Sequence, residues 1–235
     1  MKLRSLSLIL FIGILTACSS APNEAPTATI SVQNNAIVML GSPSAEIVDE
    51  LVRIAQDNPT IKTFRVSSEG GDPMAAMEWG YYMYRNRFTI EVVDRCLDSC
   101  ANYFFTAAHE RKLSRNAIVA WSGGAQDESW INQWSFYIFP GFRNVVEHYL
   151  DAFLRRETRF FNRINVDQNI THFGYDEQVG CMDGDTFRGF YYDVADLLIL
   201  GVGRTSRDTA SWDSTFAHYP ENFCQVELDP VEMLE

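Results

Sequence analysis

Ala36 to Leu40 is an unbroken apolar run closed by Gly41, Ser42 and Pro43, a pattern that predicts a short buried strand. Ser44 then stands where a helix cap belongs, ahead of Ile47, Leu51 and Ile54 at i, i+4 and i+7, and Asn58-Pro59 ends that helix. Thr63 to Ser68 reads as the next strand. Gly70-Gly71-Asp72-Pro73 turns the chain into a second helix with Met74, Met77, Tyr81 and Tyr84 on one stripe. Phe88 to Val93 is a third strand. A loop holding Cys96 and Ser99 leads into an apolar helix to about Ala108, and Ala117 to Trp121 is a fourth strand. Strands recurring about every 25 to 30 residues with helices between them predict βαβ units and a largely parallel sheet, an α/β fold.

The second half has a different texture. Pro140 to Arg163 is one long helical pattern carrying Phe142, Val146, Tyr149, Phe153 and Phe160. Arg155, Arg156, Arg159 and Arg163 gather on it and read as a solvated face paired with Glu157 or other acids. Asn169 or Thr171 starts a short turn. Phe187 to Tyr192 is extended, and Asp193 to Leu200 is a short helix closed by Gly201. Residues beyond Gly203 are polar, aromatic and irregular, and no internal period emerges.

The N-terminus reads differently again. Lys2 and Arg4 precede an apolar core, Leu6 to Leu15, that is too short to span a bilayer but suits a secretory leader. Leu15-Thr16-Ala17-Cys18 resembles a bacterial lipobox. That resemblance implies cleavage after residue 17, acylation of Cys18, and, with Ser19 next, placement at the outer membrane facing the periplasm. Ser19 to Thr29 is rich in small residues and Pro, so residues 18–30 are expected to be a tether and 31–235 the folded domain.

Composition narrows the function. At 46% hydrophobic the chain is globular, and its net charge of −12 becomes −14 once Lys2 and Arg4 leave with the leader. A body this acidic argues against nucleic acid as a partner. Of five cysteines, Cys18 is committed to lipid, and in an oxidising compartment the remaining four are expected to pair. Cys96 with Cys100 is the default, though i,i+4 spacing demands that one of them leave helical geometry; Cys181 with Cys224 follows by elimination, from three possible connectivities. No His, Cys and carboxylate set has metal-ligand spacing, so no metal and no cofactor is expected.

Three features carry the candidate chemistry. Ser68-Glu69-Gly70-Gly71-Asp72 exposes amides beside a helix N-terminus. Asp98-Ser99-Cys100-Ala101 places a hydroxyl at the next helix start. Asn116-Ala117 opens the strand that ends in Trp121-Ser122-Gly123-Gly124. Together with Ala75-Ala76 and Phe104 to Ala108, this order resembles the ClpP/crotonase superfamily, and within it the secreted ClpP-like proteins of bacteria; Asp196 to Val202 resembles its late helix. The resemblance implies a spiral of ββα units with helices outside, Ser99 as nucleophile, and the amides of Gly71, Asp72 and Cys100 as oxyanion hole. It also implies a histidine at the end of the strand after Asn116-Ala117, where Trp121-Ser122 stands instead. A serine is far too weak a base for that role.

Of the four histidines, His109, His148, His172 and His218, His109 is ten residues along a helix from Ser99 and out of reach. His172 and Asp167 fall in the later region to which the resemblance assigns the acidic third member, and are the candidate base and acid; Glu69 and Asp98 are further carboxylates beside the motifs. Two functions are expected to compete: a non-catalytic envelope protein that binds or assembles, and a serine hydrolase or peptidase using Ser99. The first is favoured because the base is missing. Its partners would be the membrane through the lipid, an envelope protein or peptide on an aromatic patch around Trp121, Trp130 and Trp134, and a second copy through the outer helices.

Overall fold

Strand β2 (Ala36–Leu40) is buried at four consecutive positions because it lies inside the central sheet, between β1 (Thr29–Gln33), antiparallel to it, and β3 (Thr63–Ser68), parallel. The computed structural model describes residues 28–125, 140–176, 181, 187–207 and 222–228, with the side chains of 140–150, 187 and 222 excepted. The leader, Cys18, Trp130, Trp134 and His218 lie outside the described residues, as does the side chain of His148. The β1–β2 hairpin turns on Asn34 and Asn35, both at positive φ, where asparagine is tolerated better than most residues.

Helix α1 (Ala45–Asp57) starts at Ser44, whose Oγ accepts the Ile47 amide. Its buried stripe is Val48, Leu51 and Ala55, with Ile47 and Ile54 flanking it half-buried. Helix α2 (Pro73–Asn86) follows β3. Asp72 Oδ1 accepts the amides of Met74 and Ala75, and Pro73 fills the first turn, where its missing N–H costs nothing. The stripe read from the sequence is displaced. Tyr84 is exposed, and Ala76, Trp79, Gly80 and Met83 face inward because α2 packs on the sheet on one side and on a long helix on the other.

Strand β4 (Thr89–Leu97) is the spine of the fold. Its first half pairs with β5 (Glu110–Leu113) and its second half with β6 (Ile118–Ala120), both parallel, while β3 runs along its other edge with a register shift near Val66 and Ser68. The sheet order is β1-β2-β3-β4-β5-β8, where β8 is Thr205–Arg207, with β6 on β4, and every strand pairing in it except β1–β2 is parallel. The α/β class with a largely parallel sheet is therefore observed. Residues after Gly203, read as irregular, supply β8 (Thr205–Arg207) beside β5 and β9 (Asn222–Val226) beside β7 (Phe187–Tyr192). Helix α3 (Pro140–Ile164) lies on α2, with Tyr81 and Phe160 edge to face at 4.9 Å; Gly80 leaves room there for the Phe160 ring and the Tyr103 carbonyl. Helix α4 (Val194–Ile199) is capped by Asp193 and closed by Gly201 at φ +90°. No helix among the described residues is long and apolar enough to cross a membrane.

Candidate functional site

At the end of β4 the chain reverses within one residue. Asp98 takes φ +49°, and Ser99 follows at φ −58°, immediately ahead of a π-helix, Cys100–Phe105. Asp98 is held there by its amide, which donates to the Ala120 carbonyl of β6 at 3.1 Å. Cys96 and Cys100 are disulfide-bonded across this corner, their Cα atoms 5.2 Å apart. The tight i,i+4 spacing is met because Cys96 is in the strand and Cys100 in the helix. Cys181 and Cys224 form the second disulfide, with Cα atoms 5.5 Å apart.

The double glycine comes up against this corner from β3. A Cβ on Gly70, itself at φ +96°, would lie 2.7 Å from Asp98 Cβ, and one on Gly71 would lie 2.6 Å from the Pro43 carbonyl oxygen. With that clearance, the Gly71 amide donates to Ser99 Oγ at 2.9 Å. The Asp72 amide is turned away and donates to the Pro43 carbonyl at 2.9 Å, while its carboxylate caps α2. Of the three groups assigned to the oxyanion hole, the structure thus brings Gly71 to the Ser99 hydroxyl and engages the Asp72 amide elsewhere. Cys100 begins the π-helix and is fully buried.

Ser99, 2% exposed, forms the floor of a cavity of about 400 Å³ with Gly71, Asp98, Asn102, Ser122 and Gly124, and Phe153 of α3 on its wall. Ser122, in the position where the resemblance places a histidine, donates its hydroxyl to Asp98 Oδ1 at 3.2 Å. Burial pushes the Asp98 carboxyl above its ordinary range, and the Ser99 amide and Ser122 hydroxyl offset part of that rise. Asn102 donates Nδ2 to the Gly123 carbonyl at 2.8 Å, and its Oδ1 is buried without a hydrogen-bond partner. On the outer side, Tyr175 donates to the Ser122 carbonyl at 2.7 Å.

Behind the cavity is a carboxylate that the sequence reading misplaced. Glu157, expected on the solvated face of the long helix, is fully buried. It accepts hydrogen bonds from Tyr103 at 2.7 Å, the Ala125 amide at 2.9 Å and Gln168 Nε2 at 2.8 Å. The signal was present: Glu157 lies four residues after Phe153 and three before Phe160, on the apolar stripe itself. Burial first, and then the charge of Glu157, hold the Tyr103 phenol well above its ordinary range. Of the neighbouring arginines, Arg156 pairs with Glu78 at 2.8 Å and Arg159 donates to the Arg155 carbonyl.

Asp167 accepts the Asn169 amide at 2.9 Å and starts a 3-10 turn, Gln168–Thr171; His172 follows it, with its ring 6.4 Å from that of Tyr175. Neither side chain lines the Ser99 cavity. Glu69 pairs with Arg95 at 2.7 Å and with Arg188 at 3.3 Å. Trp121 is fully buried against Phe105 and Tyr192, so it belongs to the core and not to an open aromatic patch. Among the described residues no three His, Cys, Asp or Glu side chains converge as metal ligands.

No family model matches the chain, and no curated protein matches it. Among solved structures it is similar to the 1510-N membrane-bound stomatin-specific protease, at 12% identity and a TM-score of 0.32, over 37% of this chain and 46% of that one. It is similar to a structure described as an enoyl-CoA hydratase from Streptomyces coelicolor A3(2), at 11% identity and a TM-score of 0.29, over 46% and 53% of the two chains. It is also similar to a ClpP1 mutant from Listeria monocytogenes, at 16% identity and a TM-score of 0.42, over 77% and 94%. The chain thus spans about half the length of the first two. The α/β class itself rests on the strand order and pairing described above.

Proposed function

We propose that this chain is an envelope lipoprotein whose ClpP-like α/β domain binds a peptide segment in the Ser99 cavity and does not cleave it. One observation carries the reading: the Ser99 hydroxyl takes the Gly71 N–H for itself, while the group standing in the base position, Ser122, is spent on Asp98. A serine nucleophile needs a base to accept its proton, and an amide donor cannot serve as one. What the cavity offers instead is hydrogen-bonding capacity. Asn102 lines the cavity and its buried Oδ1 has no hydrogen-bond partner among the described residues, so an N–H brought in by an extended peptide would satisfy it. The anchor is the lipid on Cys18, with residues 1–17 as leader and 18–30 as tether, and the outer membrane facing the periplasm as location; charge, apolar core and lipobox support it.

The test is a fluorophosphonate probe on the folded chain beside Ser99→Ala. Labelling no greater than in the variant is expected; strong labelling that Ser99→Ala abolishes would overturn the binding reading. That second outcome would favour a serine hydrolase, for which the Gly71 amide beside Ser99 Oγ is the supporting observation, with His172 and Asp167 as the sequence's candidates for base and acid. For the anchor, Cys18→Ala is expected to move the protein from the membrane fraction to the soluble one, and an unmodified N-terminal peptide by mass spectrometry would exclude lipidation.

A further inference from the structure

At the far end of the central sheet from Ser99, where α2 stops and β5 begins, a second cavity of about 540 Å³ opens. Arg85, Arg87, His109, Arg111 and Arg204 all line it, and no lining residue is acidic. In a chain with 31 acidic side chains against 19 lysines and arginines, composition alone does not produce such a cluster. None of the four arginines has an ion-pair partner among the described residues.

Arg111 is the fixed element. It is 4% exposed, and its guanidinium is pinned to three main-chain carbonyls: Nε to Phe105 at 2.7 Å, Nη1 to Gly203 at 2.5 Å and Nη2 to Thr106 at 2.5 Å. Three of its five N–H groups are thereby used, but its charge is not neutralised. A buried cation without a counter-ion is costly. Burial and the neighbouring Arg204 push the guanidinium's pKa down to about 9.

Arg87 and Arg204 supply the movable donors. Arg87 Nη2 lies 2.7 Å and Arg204 Nη1 2.6 Å from the same atom, His109 Nε2. Two guanidinium groups therefore converge on one imidazole nitrogen. The His109 ring is held below its ordinary range by burial, then by Arg87 and Arg204, with Arg111 adding to them and Glu110 opposing. Both converging arginines also hold left-handed backbone, at φ +56° and +54°, so strain and like-charge crowding coincide at one place.

We propose that this cavity binds a small organic phosphate, with the phosphoryl group held by Arg87 and Arg204 in front of the fixed charge of Arg111 and the organic part against Tyr84 and Ile164. Guanidinium forks match the geometry of phosphate oxygens, and several of them around one point suit a dianion better than a single carboxylate. The volume exceeds what a bare phosphate fills and lies in the range of small-molecule sites.

The test is calorimetric titration of the purified full chain at low salt with glycerol 3-phosphate, inorganic phosphate and glycerol. Glycerol 3-phosphate should bind saturably, inorganic phosphate more weakly and glycerol not at all. Arg87→Gln and Arg204→Gln, both at exposed positions, should each weaken binding about tenfold. Arg53→Gln on α1, where Arg53 pairs with Glu50 and Asp57, should leave it unchanged. Phosphatidylglycerol vesicles form a further arm: binding to them that Arg87→Gln weakens assigns the phosphate to a lipid headgroup, and binding to glycerol 3-phosphate alone assigns it to a soluble ligand. No saturable binding of glycerol 3-phosphate up to about 10 mM together with none of the vesicles, or equal binding by the glutamine variants, overturns the proposal.

Discussion

Asp98 performs two tasks at one corner: its backbone at φ +49° reverses the chain, and its carboxyl takes the Ser122 hydroxyl at 3.2 Å. Its pKa is raised by burial, so between the ordinary value of 3.8 and the raised one the folded chain binds more protons than the unfolded chain. The stability from this group is fully present below pH 3.8 and is lost as the pH rises through the raised value. Asp98→Asn keeps a side chain that tolerates left-handed backbone. Its stability relative to the parent should therefore improve from pH 4 to pH 7, as read by urea unfolding at each pH; a flat difference would refute the assignment. Glu157 is the second residue on which the site depends. Glu157→Ala orphans the Tyr103, Ala125 and Gln168 donors and should cost about 3–5 kcal/mol by denaturant unfolding, with Glu157→Gln costing less. At this scale Ser99 and Gly70-Gly71 were legible, because a glycine pair and a serine at a helix start are local signals. Glu157 was legible only in its place on the apolar stripe between Phe153 and Phe160; that the stripe buries a carboxylate against Tyr103 depends on which face of α3 meets the π-helix, a tertiary fact.

Among the elements, β4 is unusual in serving two different strands along its length, and the chain turns from it into the π-helix across a disulfide. The two disulfides close loops of different size, Cys96–Cys100 across a separation of 4 and Cys181–Cys224 across 43. On chain entropy alone the first should stabilise by about 2 kcal/mol and the second by about 4 kcal/mol. Replacing each pair by alanines and comparing denaturation midpoints checks that order; a larger loss at the Cys96–Cys100 pair would mean that the corner, not the loop, carries its effect. Strands β2, β3 and β6 and helices α1 and α3 were readable because each is a run of clear period bounded by breakers. β5 and β8 were missed because Glu110–Leu113 and Thr205–Arg207 are short and charged. They become strands only because an edge of the sheet is there to receive them.

The whole molecule sets two cavities along a parallel sheet, one floored by Ser99 where β4 ends and one rimmed by arginines where β5 begins, with the π-helix between them: Asn102 and Tyr103 line the first and Thr106 the second. The sequence located the first, since glycines and serine mark it in order. The second was unreadable, because Arg87, His109, Arg111 and Arg204 come from three separate stretches of chain and only folding gathers them. Net charge gave no hint either, since a chain at −12 hides a local positive pocket. The bond between Cys96 and Cys100 imposes a chronology on the making of this protein. Both sulfurs are completely enclosed once the corner has packed, so the oxidant has to arrive before packing is complete. A chain that folded while reduced would seal its thiols in. Ellman's reagent should then leave these two cysteines unread until denaturant is added, and late addition of oxidant should repair nothing.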